Sequence, residues 1–131
     1  MKKLQHHLML IIGLFLATAL TGCFCTQKAE VLPKSSLPNA ILGIPYYAKI
    51  KVFGGVANSD HFAYVIQPEK SGLELSPRGL GTKRVSYNNL EVKGTPKVAG
   101  TITIELSGST YGTNTCTGKR YNKVYTIKVE E

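Results

Sequence analysis

The chain has no tryptophan, a single aspartate, two methionines and three cysteines in 131 residues, and each scarcity closes off some chemistry. Calcium loops need clustered carboxylate oxygens. Asp60 stands alone in Ser59-Asp60-His61, with no DxD or DxNDN run anywhere. Zinc sites need Cys or His at short, paired spacing. The chain offers no CxxC, and two of its three histidines, His6 and His7, precede the first cysteine. A GxSxG elbow, the mark of one large hydrolase class, is missing too. No segment beyond residue 36 sustains a helical apolar period and no internal repeat is visible, which sets aside bundles and repeat arrays.

What is present is concentrated first at the N-terminus. Met1-Lys2-Lys3 is a short cationic start, and residues 8–20 form an apolar run of 13. That length suits a signal h-region of ~7–15 residues and falls short of the ~20 of a membrane span. The run closes on Leu20-Thr21-Gly22-Cys23, two small residues ahead of a cysteine. This resembles a bacterial lipoprotein signal. The resemblance implies cleavage before Cys23, a diacylglyceryl thioether on that cysteine, and a fatty acyl group such as palmitate on its amine. The membrane is then a partner through the lipid on Cys23. Phe24 follows, where an aspartate commonly retains such proteins at the inner membrane, so the implied location is the outer membrane of the cell envelope.

Removing residues 1–22 leaves one domain's worth of chain. With Lys2 and Lys3 gone, 14 basic residues face 8 acidic ones, a net charge near +6. Such a balance suits an anionic lipid, a glycan or an acidic protein. Lys49, Lys51, Lys93 and Lys128 instead fit a solvated outer face of strands. Nucleic acid is not an expected partner, since no recognition motif is visible. With Cys23 lipidated, Cys25 and Cys116 remain, and an oxidising compartment favours pairing. An intramolecular bridge, an intermolecular one and two free thiols all stay open.

Residues 23–36 read as a lipidated tether and 37–131 as the folded domain. Period-two alternation marks Tyr46, Ala48, Ile50 and Val52 as one strand face. Further runs stand at 62–66, 73–75, 84–87 and 90–93, with a Gly/Pro/basic loop over 76–83. The clearest is 101–106, with Ile102, Ile104 and Leu106 inward. A last strand over 121–129 turns Tyr125, Ile127 and Val129 inward, after a Gly/Ser/Thr/Asn loop carrying Cys116. About seven short strands with Gly, Pro and Asn between them predict an all-β antiparallel sandwich.

Three pieces then occur in order. They are Leu37-Pro38 through Gly43 to Tyr46, then Gly72-Leu73-Glu74-Leu75, then Gly94-Thr95-Pro96 running on to Ala99-Gly100-Thr101. Together they resemble the immunoglobulin-like, cadherin-like modules of bacterial surface proteins, over nearly all of residues 37–131. The resemblance implies an Ig-like sandwich and a binding or structural role.

Candidate chemistry is thin. Adjacent Asp60 and His61 point to opposite faces of an extended chain, so Ser59 or Ser107 is a poor partner for a triad. Glu69, Glu74 and Glu91 have no spacing that singles out a carboxylate pair. The stretch from Gly79 to Arg84 lacks Walker spacing. No cofactor, metal or catalytic residue is expected. Tyrosine is the enriched contact-type residue. Tyr111, Lys119, Arg120 and Tyr121 form the first candidate contact patch, for a protein or glycan, and Tyr87 beside Lys83-Arg84 the second. The expected function is a non-enzymatic lipoprotein displaying one Ig-like domain at the outer membrane. The alternative is an inhibitor or immunity lipoprotein acting on a periplasmic hydrolase or toxin.

Overall fold

The computed structural model describes residues 1–19, 28–79, 81 and 84–131. Cleavage and lipidation at Cys23, and any pairing of Cys25, fall outside them. A helix, α1 (Lys2–Ala19), carries the apolar run, and its large side chains, such as Leu10 and Phe15, are exposed. Among the described residues no helix is long and apolar enough to cross a membrane.

Eight strands follow: β1 (Glu30–Leu32), β2 (Ala40–Ile41), β3 (Tyr46–Phe53), β4 (Ala63–Gln67), β5 (Leu73–Gly79), β6 (Val85–Gly94), β7 (Gly100–Ser109) and β8 (Arg120–Glu130). They form two four-stranded sheets, β1-β3-β6-β5 and β2-β8-β7-β4. Every pairing is antiparallel except β2 with β8. Lettered A, A′ and B to G along the chain, these sheets read A-B-E-D and A′-G-F-C. That is the immunoglobulin strand order, here with a short A′ strand added beside G. The chain is an all-β sandwich.

Alternation decides which residues fill it. β3 is buried at Tyr46, Ala48, Ile50 and Val52, with Tyr47, Lys49, Lys51 and Phe53 outward. Ile102, Ile104 and Leu106 meet Tyr125, Ile127 and Val129 in one cluster with Leu75, Leu90 and Val92. The lysines at 49, 51, 93 and 128 are all exposed.

Three expectations need correcting. The sandwich begins before residue 37, because β1 pairs Glu30 with Phe53 inside the stretch read as tether. A three-residue strand with only Val31 buried is too short to show a period. Residues 76–79 are strand rather than loop, since Pro77 sits on edge strand β5, where a missing N–H is tolerated. The runs at 84–87 and 90–93 are one strand, β6, irregular where its register with β5 shifts between Pro77 and Arg78. Tyr64 is 42% exposed because β4 is also an edge strand.

The sandwich has two unlike ends. At one, the three sequence pieces meet. Leu73 pairs with Gly94, the Gly43 amide donates to the Pro96 carbonyl at 3.0 Å, and the Lys97 amide donates to the Ser71 carbonyl at 2.8 Å. Gly72 and Gly94 both hold positive φ, and a Cβ on Gly94 would overlap the Gly72 carbonyl. Only glycine allows those backbones to pass so closely. The motif residues are therefore a structural knot.

At the other end lie the start of β1, the end of β3, the start of β6 and the turns at 54–62 and 110–119. Gly54, also at positive φ, faces the backbone of Lys28 and Ala29 with no room for a Cβ. The chain thus enters the sandwich here, at the Gly54 end, some 25 Å from the Gly94 end by the length of the eight-residue β3.

Candidate functional site

The 110–119 loop and the 54–62 loop are bound into one surface. Ala57 bridges Thr110, the Tyr111 amide donates to the Val56 carbonyl at 2.8 Å, and the Asn58 amide donates to the Ser109 carbonyl at 2.8 Å. Asn88 on β6 supports them from below. Its amide nitrogen donates to the carbonyls of Val52 at 2.9 Å and Gly55 at 2.8 Å, and its oxygen accepts from the Ala57 amide at 3.0 Å. One side chain from the neighbouring strand of the same sheet thereby replaces strand pairing that a Gly-Gly turn cannot supply.

Of the expected contact patch, Tyr111 and Arg120 are exposed and Lys119 is half-buried. Tyr121 is a correction. It is only 6% exposed, its ring lies over Gly108, and its hydroxyl has no hydrogen-bond partner among the described residues. Burial raises its pKa. The cause is parity: 121 shares the inward face of β8 with 125, 127 and 129, while Arg120 shares the outward one. Of the second patch, Lys83 lies outside the described residues. Tyr87 is half-buried, its ring edge-on to Phe62 at 5.3 Å.

Arg120 instead joins a different group. With His61, Ser107, Ser109 and Asn122 it lines an open concavity of about 550 Å³ on the outer face of β7 and β8. The His61 ring is held by the Asn58 amide at 3.4 Å and by Ser109 Oγ at 2.8 Å, both at Nδ1. Asp60 points elsewhere, its carboxylate accepting from Ser59 Oγ at 3.4 Å. Neither Ser59 nor Ser107 is thus brought to His61 with Asp60 behind it, and the serine that does reach the ring is Ser109. Asn58 and Ser109 meet the ring at the same nitrogen, not at opposite ones as the orienting carboxylate and the serine of a triad do. The concavity offers hydroxyls, an amide and one permanent cation, which suits hydrogen bonding to a polar ligand.

Ser109, Asn122 and Asn88 had no place among the expected site residues, since each matters only through partners far away in sequence. Cys116 closes a small turn, its amide donating to Thr113 Oγ1 at 3.1 Å while its carbonyl accepts from the Thr113 amide at 2.7 Å. It is half-buried, at the same end of the sandwich as the entering chain. Glu91 accepts from the Tyr47 hydroxyl at 3.0 Å and lies 3.7 Å from Arg78 Nε, on the solvated face of the first sheet. Among the described residues no three His, Cys, Asp or Glu side chains converge as metal ligands.

Compared with family models, with curated proteins and with solved structures, the chain matches none.

Proposed function

We propose that this chain is a bacterial lipoprotein, anchored through lipid on Cys23 at the outer membrane, that displays one Ig-like sandwich in a binding or structural role without catalysis. The observation that carries the reading is the point of entry. Lys28 already packs beside Gly54, five residues after Cys23, so the folded domain begins almost at the acylated residue. The motif-bearing Gly94 end then faces away from the membrane. It presents Ile41, Leu42, Ile44 and Val98, all more than a third exposed, as apolar contact residues for a protein partner. The strand order supports an Ig-like module but does not by itself assign a ligand.

A Cys25–Cys116 disulfide belongs to the same proposal. Cys116 is engaged rather than free, and the chain's other two cysteines both lie in the segment leading to Lys28. Metabolic labelling with a clickable fatty acid tests the anchor. The wild-type chain is expected to take up label and to start at Cys23, and Cys23→Ala to lose both label and membrane fractionation. Label retained by Cys23→Ala would overturn the reading.

A further inference from the structure

Lys28 is fixed against the sandwich, so the tether is short. Five residue steps at ~3.3–3.6 Å reach at most ~18 Å, less than the length of the domain. Whatever the orientation of the sandwich, its Gly54 end must stay near the bilayer surface. This argument rests on the anchoring reading above.

The residues at that end suit such a neighbour. Phe53, Val56, Val85 and Tyr111 are 48%, 66%, 54% and 50% exposed. They are close to one another. Val56 and Val85 line one depression around Asn88, Phe53 lines the next, and Tyr111 is hydrogen-bonded to Val56. Around them stand Lys28, Lys51, Arg84, Lys119 and Arg120, against Glu30 and Asp60 as the acidic residues. Glu30 is already ion-paired, 2.6 Å from Lys34 Nζ. The opposite end carries acidic and basic side chains in equal number, Glu69, Glu74, Glu130 and Glu131 against Lys70, Lys93, Lys97 and Lys128. Apolar and aromatic side chains within a cationic ring are what an anionic headgroup layer attracts.

We propose that the Gly54 end is a bilayer-contact surface, in which Phe53, Val56, Val85 and Tyr111 enter the headgroup layer while Lys28, Arg84 and Arg120 engage anionic lipid phosphates. The domain then lies seated on the membrane that anchors it. Tyr111 and Arg120, two of the expected protein or glycan contacts, are lipid contacts. The partner-binding surface is the opposite end.

The test uses the mature, lipid-bearing protein reconstituted into vesicles, with intact mass and flotation measured on the same sample. Amide hydrogen exchange is compared between phosphatidylglycerol-containing vesicles and pure phosphatidylcholine. Slower exchange is expected at 54–57 and 111–118 in the anionic vesicles, with no change at 42–45 and 95–99. High salt should remove the difference, because headgroup attraction is screened. Lys28→Glu, Arg84→Glu and Arg120→Glu should each weaken the contact ~30-fold, the effect of a two-charge change at such a surface. The wild-type comparison stands even if a charge-reversal variant fails to fold. A lipid-bearing chain that floats yet exchanges equally on both vesicles overturns this proposal alone, as does protection at the Gly94 end. A mature chain without lipid mass overturns the anchoring reading and this proposal with it.

Discussion

Tyr46 and Tyr125 show how one residue type serves two purposes within the same strands. Their rings fill the core, and their hydroxyls donate to the carbonyls of Pro38 at 2.8 Å and Pro33 at 2.6 Å. The crossover from β1 to β2 is thereby held from both sheets, and Lys123 Nζ adds a third bond, to the Lys34 carbonyl at 2.7 Å. Burial pushes both phenols up from 10.0 to about 12. Below pH 10 the folded and unfolded chains both keep these protons, and the full stability is present. As pH rises toward 12 the unfolded chain ionises first, so stability falls across that window. Tyr125→Phe should therefore cost ~0.5–1.5 kcal/mol at neutral pH through the lost hydrogen bond, yet lose stability less steeply between pH 10 and 12. Urea unfolding across that range checks it, and an equally steep fall would refute the assignment. The core role of these tyrosines was legible from their spacing. So was the burial of Tyr121, which shares their parity. Its place beside Lys119-Arg120 made it look like a contact residue, though neighbours along a strand face opposite sides.

Among the elements, long strands were legible and short ones were not. β3, β7 and β8 alternate for eight to eleven residues, long enough for the period to stand out. β1 and β2 are three and two residues long, and only their partners define them. The continuation of β5 through Pro77 was hidden by a residue that usually ends strands. It survives because an edge strand has one unpaired side. The two ends of the sandwich are held by different means, and two substitutions separate them. Gly94→Ala places a Cβ into the Gly72 carbonyl at φ +133 and should cost well over ~1 kcal/mol. Asn88→Ala strips two hydrogen bonds from the 54–57 turn and a third from Val52 at the end of β3, and should cost ~1–3 kcal/mol, with faster amide exchange at the Gly54 end. Urea denaturation and exchange read both. A neutral Gly94→Ala would mean the two backbones do not pass as closely as described.

For the whole molecule the decisive fact is which end receives the chain, and no local pattern carried it. It follows from the register of β1 on β3, which sets Glu30 against Phe53. That register also bears on the proposed Cys25–Cys116 bridge. Cys25 is three residues before Lys28, a reach of ~10 Å, and a disulfide needs its α-carbons within ~4.4–6.8 Å. Had the chain entered at the Gly94 end, some 25 Å of sandwich would separate the two cysteines. Entry at the Gly54 end brings the tether to the loop that holds Cys116. Closing a loop of ~90 residues would contribute about 4.6 kcal/mol in the chain-entropy model. It would also fix the 110–119 loop to the membrane-proximal chain, adding a second restraint to the short tether. Mass mapping of the non-reduced mature protein should yield one product joining the Cys25 and Cys116 peptides in the monomer. Cys116→Ser should then leave the anchor intact, lower the urea midpoint, and speed exchange at 111–118. A dimer lost on reduction would assign the bridge to two chains, and complete alkylation without reductant would remove it.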